Sequence, residues 1–188
     1  MIIGVTGTTG AGKDTLARYL EKKGFLHISL SDIIREEANK KGVELTRSNL
    51  QDLGNQMRRA DGLGVFAKKA LEKIRKGENY VVTSVRNPGE IKTLAENRRF
   101  VLWAVDAPQK ERFLRISSPR RRGEGDPFTF EEFKKSEARE IESSDKSSQQ
   151  IAECMETADF TVFNDSSLES FFRKIDALLS RAPAGFEI

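Results

Sequence analysis

An open α/β fold, with a parallel sheet between helical layers, is predicted by three features of this 188-residue sequence. Short apolar runs of strand length recur at residues 2–6, 25–29, 80–84, 100–105 and 160–163. Helix-patterned segments separate them, and strands that alternate with helices imply a parallel sheet. The length and the 37% hydrophobic content suit one sizeable core.

Taken in order, the first run leads through a glycine-rich turn into helical spacing over 14–23. The second is followed by helix-like segments at 31–41, 48–59 and 64–75, and the third by one at 88–97. After the fourth come helical patterns at 109–116 and 129–141, separated by a basic Gly/Pro-rich stretch, residues 117–127. The fifth precedes a last helix at 168–179. Residues 1–181 are expected to form a single domain and 182–188 a loosely held tail. The segments near 31–78 and 112–139 look like insertions beside the active edge, because ligands of open α/β sheets bind beyond the carboxyl ends of the strands. Trp103 and Phe100 in the fourth run are assigned to the core, and His27 to a structural role.

Composition excludes several classes. The 32 Lys and Arg against 29 Asp and Glu leave a net charge of +3, which argues against a polyanion-coating protein, so nucleic acid is not expected as a partner. Cys154 is the single cysteine and His27 the single histidine, so neither an internal disulfide nor a Cys/His zinc site is available. A reducing cytosol is the natural compartment. The N-terminus runs into a short apolar stretch with no basic leader, and no membrane association is expected.

The most specific motif is Gly7-Thr8-Thr9-Gly10-Ala11-Gly12-Lys13-Asp14-Thr15, lying between the first strand and the first helix. That strand, loop, helix context is what a P-loop requires. Its glycines let the backbone wrap phosphate, its N–H groups add to the positive end of the helix dipole, and Lys13 would reach the β- and γ-phosphates of ATP. The usual form has Ser or Thr directly after the lysine; here Asp14 intervenes and the hydroxyl comes at Thr15. Thr15, with Asp14 facing the same region, is the expected Mg²⁺ site.

From this motif onward the sequence resembles the nucleoside monophosphate kinase superfamily of P-loop kinases, with features of adenylate kinase, deoxynucleoside monophosphate kinase and dephospho-CoA kinase. The segment His27-Ile28-Ser29-Leu30-Ser31-Asp32-Ile33-Ile34-Arg35 is similar to the adenylate kinase stretch that opens the acceptor-binding helix. The resemblance implies that Arg35 grips the acceptor's phosphate, with Asp32 nearby. Thr83-Ser84-Val85-Arg86-Asn87-Pro88-Gly89-Glu90 is similar to the D-V-R-x-P-x-E stretch of deoxynucleoside monophosphate kinases, which makes Arg86 a second acceptor-phosphate ligand. Guanidinium forks suit that task because they present paired donors and stay charged. Ser84 stands where the family often has an acid, and Asp14, Asp32 and Asp106 are the alternatives to it.

The resemblance also implies a three-layer P-loop NTPase fold with five parallel strands in the order 2-3-1-4-5, an acceptor-binding insertion and a lid. In the lid region stand Arg112, Arg115, Arg120, Arg121 and Arg122, and Arg139 lies on the helix that follows. Phosphoryl transfer spreads negative charge over the moving group, and cations supplied on closure stabilise it; Arg115, Arg122 and Arg139 join Lys13 and Arg86 as the expected catalytic set. Asn164-Asp165-Ser166-Ser167 matches the loop that passes the donor's adenine, and Ser167 or Asp165 could equally cap the last helix. The expected reaction is ATP-dependent transfer to a nucleoside or deoxynucleoside monophosphate by a monomer or homodimer. Dephospho-CoA stays open as acceptor, as does a nucleotide-binding switch or slow ATPase with an RNA or protein partner.

Overall fold

The computed structural model describes residues 1–117, 129–141 and 145–181, the last three of the middle stretch as backbone only. Five strands form one sheet in the order β2-β3-β1-β4-β5: β1 (Ile2–Gly7), β2 (Leu26–Ser29), β3 (Tyr80–Thr83), β4 (Phe100–Asp106) and β5 (Phe160–Phe163). Every pairing is parallel, with Ile2 in register with Tyr80 on one side and Phe100 on the other. The expected fold and strand order are therefore those observed.

β1 lies at the centre and is buried along its whole length, which is why it reads as an unbroken apolar run. Alternate residues feed opposite faces of the sheet. Ile2, Tyr80, Val82 and Leu102 pack with Leu30, Ile33, Met57 and Phe66 from α2 (Leu30–Lys40), α3 (Arg47–Asp61) and α4 (Val65–Leu71). Ile3, Val5, Val81, Trp103 and Val162 pack with Leu16 and Leu20 of α1 (Lys13–Glu21) and with Phe171 and Ile175 of α9 (Leu168–Leu179). Full burial of a residue such as Phe171 stabilises by about 1.5–3 kcal/mol. Trp103 and Phe160 meet edge-on at 6.5 Å, in keeping with the core role expected of the tryptophan.

The remaining described helices are α5 (Pro88–Leu94), α6 (Gln109–Ile116), α7 (Phe130–Ile141) and α8 (Ile151–Glu156). Local chemistry explains several boundaries. Asn87 and Glu90 form a reciprocal capping box around Pro88, and Ser167 accepts from the Ser170 N–H to start α9. α4 and α5 stop earlier than their patterns suggest because Lys73, Ile74, Glu96 and Asn97 make three-residue turn bonds that tighten out of the helix. β3 ends at Thr83 rather than Ser84, since Ser84 adopts φ 63 and leaves the extended region. α8, a six-residue helix anchored by Ile151 and Cys154, is absent from the sequence reading.

Candidate active site

The loop between β1 and α1 is shaped by positive φ at Gly7 (135), Gly10 (81) and Gly12 (111). All three also back onto neighbours: a Cβ would lie 2.0 Å from the Val105 carbonyl oxygen at Gly7, 2.7 Å from the Arg112 carbonyl oxygen at Gly10, and 2.4 Å from Asn164 Nδ2 at Gly12. The loop carbonyls are held from outside. Arg112 Nη1 donates to Thr9 (3.4 Å), Arg115 Nη1 to Gly10 (3.5 Å) and Ala11 (3.4 Å), and Asn164 Nδ2 to Ala11 (2.8 Å). Trans peptide geometry then turns the N–H groups of Gly10 and Gly12 away from those partners. Lys13 Nζ lies across the loop, donating to the carbonyls of Gly7 (2.8 Å) and Thr8 (2.7 Å). α1 begins at Lys13 after the N-cap Gly12, which has no side chain to cap it, so its first N–H groups are not taken by a capping side chain. This glycine cradle, lysine and uncapped helix start fit a polyphosphate.

The end of β4 closes one side. Thr8 Oγ1 donates to Asp106 Oδ1 at 2.8 Å, and Arg112 Nε stands 3.8 Å from the same oxygen. Arg112 is buried, donates through Nε to the Ala107 carbonyl (2.9 Å), and pairs with Glu137 of α7, its Nη2 to Oε2 at 3.0 Å. Glu137 also accepts from Gln109 Nε2 (2.8 Å), and the Arg112 guanidinium lies over the Phe133 ring. Arg115 Nη2 donates to the Asn164 carbonyl (2.9 Å), tying α6 to the end of β5. Arg115 and Asn164 thus both meet the phosphate loop. Asp165, by contrast, pairs with Lys174 at 2.6 Å, which holds its carboxyl below the usual range.

The end of β3 closes the other side. Ser84 in the left-handed region turns the chain so that Val85 N–H returns to the Val5 carbonyl (3.3 Å) of the strand that leads into the phosphate loop, and Arg86 follows. Adjacent strands lie about 4.8 Å apart, so the chain segments that leave β1 toward Lys13 and β3 toward Arg86 start as neighbours. Arg35 and Asp32, exposed on α2, form an ion pair at 2.7 Å. Asp14 is exposed and Thr15 half-buried in the first turn of α1. Among the described residues no cluster of three or more His, Cys, Asp or Glu forms a ready-made metal cage. The residues present fit Mg²⁺ only in the manner of a phosphate-borne ion, with Thr15 and one carboxylate beside it. Arg120, Arg121 and Arg122 lie outside the described residues, as does the Arg139 side chain, whose backbone is part of α7. No helix among the described residues is long and apolar enough to cross a membrane.

Comparison with known proteins gives this arrangement its place. A family model described as AAA domain matches residues 3–143. The UPF0200 protein of Thermococcus gammatolerans is 32% identical over 98% of this chain and 97% of its own length. That of Pyrococcus horikoshii is 33% identical over 96% and 97%. The chain belongs to the AAA domain family and to the UPF0200 family. The solved structure of shikimate kinase from Bacteroides thetaiotaomicron shares 18% identity at a TM-score of 0.57, covering 96% of this chain and 98% of that one. The APS kinase of Mycobacterium tuberculosis, solved with AMPPNP and APS, shares 18% identity at 0.53, covering 95% and 96%. These likenesses give this UPF0200 chain the fold of the P-loop kinases.

The UPF0200 site also contains residues that motif reading passed over. Arg58 and Glu90 form a fully buried pair beneath Arg86, and Glu137 neutralises Arg112. Glu90 stood in the sequence only as the end of the stretch similar to D-V-R-x-P-x-E, with no role attached to it. Arg58 gives no local signal, because its partner is 32 residues away.

Proposed function

We propose that this protein transfers the γ-phosphoryl group of ATP to a small phosphorylated acceptor, with a nucleoside or deoxynucleoside monophosphate favoured. The observation that carries the proposal is the pairing of β1 with β3: the Lys13 loop and Arg86 leave the carboxyl ends of hydrogen-bonded neighbours. A triphosphate in the loop and a phosphate on Arg86 would therefore face one another, which is the in-line arrangement that transfer needs.

In this reading Gly7 to Thr15 hold the donor phosphates, and Lys13 leaves its loop carbonyls to bridge the β- and γ-oxygens. Arg35 exchanges Asp32 for the acceptor's phosphate, and α2 to α4 form the insertion that receives the rest of the acceptor. Thr15 and a carboxylate hold Mg²⁺, which would supply charge neutralisation on the phosphates. Arg115 and Asn164 brace the loop, while the lid around 112–139, with Arg122 and Arg139, supplies cations to the transferring group. An oxygen of the acceptor's phosphate takes the phosphoryl group, the bond to the ADP oxygen breaks, and ADP leaves.

The decisive experiment is Arg86→Ala. Acceptor use should fall by about 10²-fold or more while nucleotide binding stays near wild type, as expected for one lost phosphate ligand in a water-poor site. Equal loss of both would show that the acceptor lies elsewhere.

A further inference from the structure

The Arg58–Glu90 pair lies deeper than anything else charged in the described acceptor side: 4% and 0% of the two side chains are exposed. Arg58 Nε and Nη2 both donate to Glu90 Oε1, at 3.1 and 2.8 Å. The second oxygen, Oε2, accepts the backbone N–H groups of Arg86 (2.8 Å) and Asn87 (3.1 Å). One carboxylate therefore joins α3 to the turn that carries Arg86. The far side of the turn is fixed as well, since the Gln150 N–H donates to the Arg86 carbonyl at 2.7 Å. Asn87 Nδ2 donates to the carbonyls of Lys146 (2.8 Å) and Ser148 (3.0 Å), and Arg58 Nη1 reaches Ser147 (3.4 Å).

We propose that Arg58 is a positioning residue for Arg86, acting through Glu90, and that the pair sets how well the acceptor's phosphate is held; this rests on the reading of Arg86 given above. Two physical effects converge. The left-handed Ser84 makes the turn unfavourable by itself, and such backbone persists only where neighbours over-determine it. Val5 does so by accepting the Val85 N–H, and Glu90 by accepting those of Arg86 and Asn87. A lone carboxylate there would also repel an anionic acceptor and attract the Arg86 guanidinium inward. Arg58 cancels that charge, so the turn presents its cation outward. Buried pairs of this kind add little net stability, yet loss of one partner leaves an uncompensated charge.

The test compares wild type with Arg58→Lys and with the charge-neutral double variant Arg58→Met/Glu90→Gln. Each is saturated with Mg²⁺ and AMPPNP so that the donor loop is filled, then titrated with inorganic phosphate while the Arg86 and Asn87 amide resonances are followed. The double variant should shift both amides before phosphate is added and weaken phosphate binding about tenfold, with AMPPNP affinity within twofold of wild type. Arg58→Lys, which keeps the charge but loses the fork, should fall between. A wild-type phosphate response retained in both variants, or amides that stay in place, would overturn this proposal alone. Parallel loss of AMPPNP and phosphate affinity would overturn it too, as a general packing defect. Silence from the wild type itself would instead sink the assignment of Arg86 to an acceptor.

Discussion

Thr8 Oγ1 donates to Asp106 Oδ1 at 2.8 Å, which makes Asp106 a carboxylate bonded directly to the phosphate loop. Of the acids that stand in for the one missing at Ser84, Asp32 is paired with Arg35 and Asp14 is exposed. On the function proposed above, Asp106, bonded to the loop although it also faces Arg112, is the acid expected to organise the metal. Asp106→Asn keeps an oxygen for Thr8 but removes the charge. It should lower activity by about 10- to 100-fold and raise the Mg²⁺ concentration needed for half-maximal rate, the usual effect of losing a group that orients a metal site. An unchanged Mg²⁺ dependence would transfer the role to another acid.

Lys13 donates to two carbonyls of its own loop and is half-buried beside it. Lys13→Ala should keep the melting temperature within a few degrees and reduce turnover by about 10²- to 10³-fold or more. Circular dichroism together with an ADP-release assay checks both halves. Wild-type turnover in this variant would sink the loop assignment.

Ser84, at φ 63, stores strain of about 1 kcal/mol or more. Ser84→Gly relieves it but makes the unfolded chain freer by about 0.4–1 kcal/mol, so the gain should be small and positive. A rise in melting temperature of about 1–3 °C is expected for a chain of this size. A fall would mean that the serine hydroxyl contributes more than the backbone costs.

Burial of Cys154, with the carboxylates of Glu90 and Glu153 adding to it, pushes its thiol from 9.0 up to about 12. The native protein should resist alkylation at pH 8 and react only on unfolding. Because the folded-state value is the raised one, the associated stability is fully present below pH 9 and declines as pH rises from 9 toward 12. Thermal melts of wild type and Cys154→Ala across pH 8 to 10.5 check this: the wild type should lose stability more steeply at the alkaline end. Parallel curves would contradict it.

The strands and the phosphate loop were legible because each depends on local pattern or on a motif with fixed spacing, whereas the strand order came from the resemblance to the nucleoside monophosphate kinases. Ile2 to Thr6 reads as a strand from its apolar run alone, and Lys13 is located by the glycines before it. α8 was not legible, since six residues hold too few periods and its anchors Ile151 and Cys154 are recognisable only against the sheet. Arg58 and Glu137 were missed for a related reason: each looks like an exposed charge in a helix pattern. Only tertiary packing brings Arg58 to Glu90 and Glu137 to Arg112. Asn164 was placed at the nucleotide by resemblance; its bond to the Ala11 carbonyl could be seen only in the fold.

The most direct test of the central claim is coupled ADP release with Mg²⁺ and ATP against nucleoside and deoxynucleoside monophosphates and dephospho-CoA, with a no-acceptor control. The account predicts release that rises well above the control with one acceptor class, foremost a monophosphate, and that collapses in Arg86→Ala. A flat panel in a protein that binds ATP would contradict phosphoryl transfer to a small acceptor and favour a nucleotide switch or slow ATPase.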